Sequence, residues 1–464
     1  MKVLVLNCGS SSVKFQLIEM NGERVLARGV VEKIGSSDAI FTYEAEDRNR
    51  QREIREVLSH DVAIELVLGM LQHPQHGVIG SLEEIESIGH RVVHGGESFS
   101  DSVLVTERVK DAIDKCIQFA PLHNPHNLKG IQACERLLPD TPQVAVFDTA
   151  FHHTIPPKAY LYGLPYALYQ KLGIRRYGFH GTSHKFVAQK AADFLEKSLG
   201  SLKLITCHLG NGASITAVDG GKSVDTSMGF TPLEGLVMGT RCGDIDPALV
   251  PYIMKREKLT ADQMDAIMNK NSGLLGLTGT SNDMREIEAE ARRGSAQHRL
   301  ALDVYCNRIK KYVGAYLAEM GGADAVVFTG GIGENSAFIR ANSLQGLDGL
   351  GIAVDPKAND NGETRISRSG IDVLIIPTNE ELAIARDTKK IIVLGERPQS
   401  ASAGKDKKKR PSLFVDHEKA DLVLLWAEEP GASIESLTER LNEKLGKRLK
   451  ADVVRQELEV LGLR

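Results

Sequence analysis

The sequence predicts an α/β protein that consists of two halves of the same plan and a small, mostly helical appendage at the C-terminus. Residues 2–19 contain an apolar strand, a polar Gly/Ser turn that begins at Asn7, and a second apolar strand. Residues 203–218 repeat this plan around the turn Gly210-Asn211-Gly212. One such pair would be an ordinary hairpin. Two copies, whose backbone N–H groups can face an anion, indicate a duplicated fold with a phosphate-binding hairpin in each half.

The composition restricts the class of protein. A chain of 464 residues is longer than a domain with a single hydrophobic core usually is, so two domains and an appendage are expected. The net charge of -4 gives no reason to expect nucleic acid on the core or an anionic membrane as a partner. No apolar run reaches bilayer-spanning length. The segment Met1–Leu6 has one Lys and a few apolar residues, and is expected to be too short for a signal peptide or lipoprotein leader. The six cysteines are scattered without a C-x-x-C pair, which favours buried thiols in a cytoplasmic setting.

The first half is expected to begin with a β-meander and to place a polar residue at a strand end. Strands are predicted at Lys2–Leu6, Val13–Met20, Val25–Val31, Ile85–Ile88 and Val144–Phe147, and a helix at Asp61–Leu71. The last of these strands is fully apolar, which is typical of the middle of a parallel sheet. Ligands bind at the carboxyl ends of strands in open α/β sheets, so Asp148 is a candidate for chemistry.

The second half is expected to alternate strands and helices. Strands are predicted at Leu204–Cys207, Ile215–Val218, Ala325–Phe328 and Asp372–Pro377, and helices at Lys185–Leu199, Leu259–Met268, Gln297–Met320 and Leu382–Ile392. We therefore place one domain at residues 1–150, completed by a helix at about 382–394, and a second domain at residues 151–381.

The amino-acid composition of the sequence changes near its C-terminus. Residues 395–411 have the Ser, Ala, Gly and Lys content of a solvated linker, and residues 412–464 form the appendage. Helices are predicted there at Ser433–Leu445 and Ala451–Leu461. Ser436 with Glu439 matches a capping box. A DNA-binding helix-turn-helix and a protein-docking hairpin both fit, and docking is favoured because the basic charge lies mostly in the linker.

Three polar loops have the composition of a nucleotide site. They are the turn at Asn211, the segment Thr280–Arg285, and Gly330-Gly331-Ile332-Gly333 directly after an apolar strand. Each alone is a weak signal, because glycine is required wherever φ is positive, but together they could surround a base, a ribose and phosphates. The sequence G-x-x-x-x-G-K-[ST] does not occur, which excludes a P-loop.

Two arginines lie among glycines rather than on helical faces. Arg91 is within His-Arg-Val-Val-His-Gly-Gly, and Arg241 is within Gly-Thr-Arg-Cys-Gly-Asp. The planar guanidinium group suits carboxylate or phosphate oxygens. For Arg241, a salt bridge to Asp244 or Asp246 explains the spacing equally well.

Histidines occur in pairs at a spacing of three or four, among them His123 with His126 and His180 with His184. Zinc is one interpretation. Hydrogen-bonded histidines that pack loops are favoured, because no H-E-x-x-H occurs and Pro125 is expected to break the helix that would align the first pair. His180 lies on a loop and is expected to donate to a charged transition state.

Five segments together resemble the acetokinase family, which belongs to the acetate and sugar kinase, Hsp70 and actin superfamily. They are Asn-x-Gly-Ser-Ser-Ser-x-Lys at 7–14, His-Arg-Val-Val-His-Gly-Gly at 90–96, Phe-Asp-Thr-Ala-Phe-His at 147–152, Arg-Arg-Tyr-Gly-Phe-His-Gly-Thr-Ser-His at 175–184, and Asp-Thr-Ser-Met-Gly-Phe-Thr-Pro-Leu-Glu-Gly at 225–235. The resemblance extends from Met1 to about Leu394. It implies two ribonuclease-H-like (actin-like ATPase) domains with a cleft, and reversible phosphoryl transfer between ATP and acetate by direct in-line attack. It also implies Mg²⁺, with Mn²⁺ as a substitute, and a homodimer.

The resemblance also implies roles for individual residues. The catalytic residues would be Arg91, Asp148, His180 and Arg241, and the metal ligands Asn7 and Glu380. The acetate pocket would consist of Val93, Leu122, Phe179 and Pro232, together with Arg91. The nucleotide-binding residues would be Lys14, His208, Leu209, Gly210, Asn211, Gly212, Asp283, Met284, Arg285, Gly331, Ile332, Gly333, Glu334 and Asn335.

A carboxylic acid is ionised at neutral pH, so the nucleophile needs no strong base. Asp148 is therefore expected to orient an arginine or the water shell of the metal. Two alternatives stay open: a kinase for propionate or butyrate, and an actin- or Hsp70-like ATPase that acts through protein binding. Each extra methylene changes binding by about 1 to 3 kcal/mol, so propionate is expected to react more weakly than acetate, and butyrate poorly.

Overall fold

The computed structural model describes residues 1–46, 48–121, 123–396, 422, 425 and 432–460. The chain divides into two compact units, residues 1–397 and 398–464. The first unit contains both predicted halves. The division of this unit into domains at residues 1–150 and 151–381 stays a prediction, whereas the sheets of the two halves can be compared directly.

The first half is organised on an eight-stranded sheet, counted over the described residues. Its strands are β1 (Lys2–Cys8), β2 (Ser12–Glu19), β3 (Arg24–Glu32), β4 (Ser36–Ala45), β5 (Gln51–Val57), β6 (Ser87–Val92), β7 (Val103–Leu104) and β8 (Gln143–Phe147). They are arranged in the order β5-β4-β3-β2-β1-β6-β8-β7. The strands β1 to β5 form an antiparallel meander, whereas β6 runs parallel to β1 and β8 runs parallel to β6.

The second half repeats this arrangement on a five-stranded sheet of the described residues. Its strands are β9 (Lys203–Leu209), β10 (Ala213–Asp219), β11 (Lys222–Thr226), β12 (Ala325–Thr329) and β15 (Asp372–Ile375), and a separate ribbon contains β13 (Ile352–Val354) and β14 (Ser367–Gly370). The order β11-β10-β9-β12-β15 matches β3-β2-β1-β6-β8, with the same strand directions. The predicted duplication is confirmed.

Helices cover both faces of each sheet. They are α1 (His60–Leu71), α2 (Glu107–Lys115), α3 (Asn124–Leu137), α4 (Pro157–Tyr160), α5 (Tyr166–Leu172), α6 (Gly181–Phe194), α7 (Leu249–Glu257), α8 (Ala261–Lys270), α9 (Gly273–Thr278), α10 (Met284–Arg292), α11 (Ala296–Met320), α12 (Gly330–Asn335), α13 (Ala337–Leu344), α14 (Pro356–Asn361) and α15 (Glu380–Glu396). The helices α1 and α3 cover one face of the first sheet, and α15 covers the other, as expected for the helix that completes the first half. On the second sheet, α11 and α6 occupy opposite faces. No helix within the described residues is long and apolar enough to cross a bilayer.

Several predicted positions near the first sheet were wrong in detail. Asn7 lies inside β1, opposite Lys14 of β2, so the turn contains residues 9–11 only. The strand β6 begins two residues later than predicted and continues to Val92. The strand β8 is not in the middle of a parallel sheet, because it pairs with parallel β6 on one side and with the short antiparallel β7 on the other.

Two helices near the site also differ from the sequence prediction. The helix α6 begins at Gly181 and ends at Phe194, about four residues earlier than predicted at each end. Pro125 does not break a helix; it occupies the first turn of α3, where its missing N–H group is tolerated. His126 therefore lies inside this helix, and His123 precedes it as the N-cap residue.

The second unit contains two described helices, α16 (Ile434–Leu445) and α17 (Ala451–Val460). Their apolar faces form a small core with Leu422 and Leu425. The N-cap of α16 is Ser433, whose side chain accepts from the backbone N–H of Ser436, so the predicted capping box of Ser436 and Glu439 was wrong. The predicted linker, apart from residues 395 and 396, lies outside the described residues.

Candidate active site

Arg91 and Asp148 form a buried ion pair at the carboxyl ends of β6 and β8. Arg91 Nε and Nη2 donate to the two carboxylate oxygens of Asp148 at 3.1 and 2.6 Å. The Asp148 side chain is 1% exposed, and that of Arg91 is 20% exposed. Burial opposes the charge on Arg91, but the Asp148 and Glu380 carboxylates raise its pKa above the usual range. Arg91 is therefore a fixed cation, oriented in the plane of a carboxylate.

Asn7 and Glu380 approach the same guanidinium group from other elements. Arg91 Nη1 donates to Asn7 Oδ1 at 3.2 Å, and Glu380 Oε2 lies 3.9 Å from Arg91 Nε. Burial raises the pKa of Glu380, while the Arg91 and Lys14 charges oppose that shift. Lys14, opposite Asn7 in the hairpin, thus lies on this side of the site. The two predicted metal ligands are brought together, and both offer oxygen atoms.

Arg241 lies on the loop between β11 and α7, in a different charge environment. Its Nη1 donates to the carbonyl oxygen of Pro232 at 3.2 Å, and among the described residues it forms no ion pair. Asp244 pairs instead with Arg308 at 3.2 Å, so the alternative that Arg241 bridges to Asp244 or Asp246 was wrong. Burial lowers the pKa of Arg241. A half-buried cation without a described counter-ion is suited to an anionic ligand.

His180 is the N-cap residue of α6 and has the left-handed conformation φ = 58°, ψ = 22°. Such strain is typical of functional sites. The next residue, Gly181, donates its N–H to the carbonyl oxygen of Asp148 at 3.0 Å, and a Cβ there would lie 2.2 Å from that oxygen. Only glycine allows this approach, so the sequence Phe-His-Gly places His180 beside the Arg91–Asp148 pair.

The second hairpin turn joins Arg241 to His180. A Cβ built on Gly212 would lie 3.5 Å from Arg241 Nη1 and 3.6 Å from His180 Nε2, so both groups face this point of the turn. His208 of β9 packs against His180 with tilted rings whose centroids are 4.4 Å apart. Burial lowers the pKa of His208 to about 4, and burial with neighbouring histidines and both arginines lowers that of His180 well below its usual value. Both rings are therefore neutral at neutral pH.

His123 belongs to this group, although its sequence gave no such indication. Burial and the charges of Arg91 and Arg241 lower its pKa to about 4. The charges of both arginines therefore act on this ring. The only signal in the sequence was the polar, proline-rich context of residues 121–127, which is equally typical of a structural loop.

A cavity of about 740 Å³ adjoins the second hairpin. It is lined by Gly210, Asn211, Asn282, Asp283, Met284, Arg285, Glu288, Gly331, Ile332, Asn335 and Ser336. The three polar loops noted in the sequence therefore meet around one space, whose volume is in the range of small-molecule sites. Glu288 and Ser336 also line it, although the sequence did not single them out.

Some residues predicted to bind the nucleotide do not line this cavity. They are Lys14, His208, Leu209, Gly212, Gly333 and Glu334. Glu334 instead accepts from the backbone N–H groups of Gly330 and Thr378 at 2.8 and 3.2 Å, which ties the loop to the strand ends. Their contacts with a nucleotide stay predictions.

The structure describes three of the four residues predicted to form the apolar pocket. Val93 and Phe179 are 4% and 2% exposed and belong to one hydrophobic cluster, and Pro232 lies beside Arg241 through its carbonyl oxygen. Leu122 lies outside the described residues.

The zinc interpretation of the histidine pairs finds no support. Among the described residues, no group of three or more His, Cys, Asp and Glu side chains is placed to hold a metal ion. His90, His152 and His184 are instead buried and hydrogen-bonded to neighbouring side chains. These three histidines are hydrogen-bonded as the favoured interpretation expected, although His90 lies in β6 and His184 in α6 rather than in loops.

Comparison with known proteins gives consistent matches. The model of the Acetokinase family matches residues 2–386. An acetate kinase of Alkaliphilus metalliredigens is 58% identical over 396 residues, which cover 84% of this chain and 100% of that protein. The crystal structure of Porphyromonas gingivalis acetate kinase aligns with a TM-score of 0.81 and 47% identity, covering 84% of this chain and 99% of that one. A propionate kinase from Francisella tularensis aligns with a TM-score of 0.80 and 45% identity over the same shares.

Proposed function

The chain belongs to the acetokinase family and transfers a phosphoryl group between ATP and acetate, and we propose that the acetate carboxylate attacks the terminal phosphorus directly and in line. The products are ADP and acetyl phosphate, and the step is reversible. The observation that carries this mechanism is the position of Arg241 and a neutral histidine beside the nucleotide-sized cavity: Gly212, which Arg241 and His180 both face, is two residues from Gly210 of the cavity wall. The carbonyl oxygen of Asp148, the partner of Arg91, accepts a hydrogen bond from the backbone N–H of Gly181, the residue after His180.

Charge neutralisation is the main demand of this reaction, because two anions must approach each other. Acetate is ionised at neutral pH and needs no general base. Arg241 has no described carboxylate partner, so its guanidinium fork is available to bind an oxyanion. We assign the acetate carboxylate to Arg241 and Arg91 together, with the methyl group directed to Val93, Phe179 and Pro232.

Arg91 has a second task on the phosphoryl side. Its two-pronged contact with Asp148 fixes the guanidinium plane, which leaves Nη1 directed to Asn7. Asp148 thus orients an arginine, which was one of the two roles expected of it. His180, neutral because of its burial, would donate from Nε2 to an equatorial oxygen of the transferring group.

The residues present also fit a magnesium ion. Asn7 and Glu380 supply a carboxamide and a carboxylate oxygen near Arg91. Mg²⁺ is usually held by one or two protein oxygens together with water and substrate phosphates, and Asn7 and Glu380 would supply two such oxygens. When bound, Mg²⁺ would neutralise phosphate charge; Mn²⁺ has similar ligand preferences and would substitute.

Trapping of acyl phosphates as hydroxamates tests the proposal. With ATP and Mg²⁺, acetate should give acyl phosphate with the highest kcat/KM, and each added methylene should lower that value about tenfold or more. A higher kcat/KM for propionate would favour the alternative that the Francisella tularensis relative represents. ATP hydrolysis without acyl phosphate would favour an actin- or Hsp70-like ATPase, against which the buried cationic group argues.

The homodimer, the cytoplasmic location and the partner of the appendage also belong to this proposal. The six cysteines are free thiols, which agrees with a reducing compartment. Light scattering after size-exclusion chromatography should give twice the mass of the chain. Deleting residues 396–464, which we propose as a separate docking module, should leave turnover and folding intact; loss of either would show that the appendage supports the catalytic unit.

A further inference from the structure

Three buried side chains form a line of hydrogen bonds behind His180. His180 Nδ1 lies 2.9 Å from Ser214 Oγ, and Ser214 Oγ lies 2.7 Å from His184 Nε2. His184 Nδ1 in turn lies 2.7 Å from Thr206 Oγ1. Ser214, His184 and Thr206 are each 0% exposed. His184 follows His180 by one helical turn on α6, while Ser214 and Thr206 belong to β10 and β9, so the line connects the helix to the second sheet.

The positions of the protons along this line of hydrogen bonds determine whether His180 Nε2 can donate a hydrogen bond. A neutral imidazole carries one N–H group, on either Nδ1 or Nε2. Burial and the neighbouring arginines keep the pKa of His180 low, so its ring is neutral at neutral pH. Its Nε2 edge faces Gly212 and, beyond it, Arg241. Only the tautomer with the proton on Nε2 can donate a hydrogen bond on that side.

The distances select one direction for the donors. The Thr206 hydroxyl has one proton and two acceptors in reach, His184 Nδ1 at 2.7 Å and the carbonyl oxygen of Thr216 at 3.4 Å. Hydroxyl donors normally lie within about 3.0 Å of an oxygen acceptor, so the proton belongs to the shorter contact. His184 then carries its proton on Nε2 and donates to Ser214, whose single hydroxyl proton is left for His180 Nδ1.

We propose that Thr206, His184 and Ser214 are positioning residues that fix His180 in the tautomer with the proton on Nε2. The reverse direction would leave Nε2 of His180 as an acceptor facing negatively charged phosphoryl oxygens. The proposal rests on the proposed function of His180 for its catalytic consequence, but the tautomer is a property of the protein without substrate. It explains why His180 and His184 occur at a spacing of four.

Nitrogen-15 NMR of the histidine rings tests the tautomer directly in the full-length protein. At neutral pH, His180 should show a protonated Nε2 and an unprotonated Nδ1, and the Ser214→Ala variant should lose this preference. A wild-type His180 that is protonated on Nδ1, or that keeps its Nε2 proton unchanged in Ser214→Ala and Thr206→Val, would overturn the proposal.

Kinetics provide the second readout. Ser214→Ala should lower kcat about 100-fold, the effect of losing one transition-state donor, with the KM of both substrates unchanged. Thr206→Val should act in the same direction, Thr206→Ser should restore kcat, and unchanged kcat in both disabling variants would contradict the proposal. Thr216→Val is the matched control, because Thr216 is equally buried but its hydroxyl bonds to Thr226. If His180→Ala retained full activity while NMR of the wild-type protein showed the expected tautomer, the proposed function of His180 would be wrong. The positioning role of Thr206, His184 and Ser214 would then still hold.

Discussion

The two sheets of the catalytic unit share one strand order, yet they bring opposite charge balances to the site. From the first sheet, Arg91 arrives with the Asp148 carboxylate at 2.6 Å and Glu380 at 3.9 Å. From the second, Arg241 arrives with a carbonyl oxygen, and His180 is a neutral ring. The duplicated strand order therefore does not duplicate the charges, because Arg91 is placed by strand β6 and Arg241 by the loop after β11, which are not equivalent elements. Arg91 is compensated by carboxylates, whereas Arg241 has no carboxylate partner among the described residues.

The largest expected effects are those of replacing the two arginines, and the stability of the two variants should distinguish them. Arg241→Gln and Arg91→Gln should each lower kcat/KM about 1000-fold, because each removes charge that stabilises the transition state. Only Arg91→Gln should also destabilise the fold, by about 3 kcal/mol, since it leaves a buried carboxylate uncompensated. Urea unfolding and hydroxamate kinetics measure both quantities.

The exposed pair of Arg136 and Asp61 supplies a control for this comparison. Arg136→Gln should change stability by less than about 1 kcal/mol and leave kinetics unaltered. Equal destabilisation by Arg241→Gln and Arg91→Gln would contradict the charge asymmetry.

A smaller effect is expected when the partner of Arg91 is changed. Asp148→Asn keeps the shape of the side chain but loses its charge and half of the two-pronged contact, so kcat should fall about 100-fold. Raising Mg²⁺ to saturation should not restore it if the role of Asp148 is to orient Arg91. Nearly full activity at saturating Mg²⁺ would refute that role.

The nucleotide cavity of the second half can be narrowed without disturbing the fold. A Cβ at Gly331 would meet no protein atom within 4 Å, and the residue lines the cavity. Gly331→Val should therefore raise the KM for ATP about tenfold, one 1.4 kcal/mol step, while the KM for acetate and the melting temperature stay unchanged. Gly349→Val, where a Cβ is equally free of neighbours, is the control. A rise in both KM values would show that the two sites are not separate.

The smallest effect concerns the apolar pocket at the end of the first sheet. Val93→Ala should raise kcat/KM for propionate relative to acetate several-fold, because about one methylene of space is gained. Val92→Ala is a matched control, since Val92 is buried in a different cluster with Phe147. It should lower stability by about 1 to 3 kcal/mol and leave the substrate ratio unchanged. An equal change of ratio in both variants would argue against a pocket at Val93.

The sequence was sufficient for the elements with strong local patterns. The apolar strands at Val144–Phe147 and Ala325–Phe328, the two hairpins and the position of Asp148 were all predicted. The strands β4 and β5 were missed. For β5 the reason is that the strand is mostly charged and exposed and shows no apolar alternation. The start of α6 was missed because its first turn, Gly181-Thr182-Ser183-His184, has few helix formers and is held by contacts with Asp148 and the second sheet.

The structure brings several predicted site residues together, but the sequence did not predict which side chains they contact. The two arginines and His180 were identified, whereas spacing alone left Arg241 with Asp244 as a plausible pair. The fold assigns Asp244 to Arg308 and Tyr312 of α11, which are distant in sequence. The effect of both arginine charges on the pKa of His123 likewise depends on tertiary packing that no local pattern contains.

The most direct test of the central claim is a crystal structure with ADP, Mg²⁺, acetate and a planar metal fluoride in place of the transferring phosphoryl group. We predict ADP in the cavity at Asn211 and Gly331, the acetate carboxylate within hydrogen-bonding distance of Arg241, and the fluorides within reach of Arg91 and His180. Acetate bound away from both arginines, or a fluoride contacted by neither Arg91 nor His180, would contradict the account.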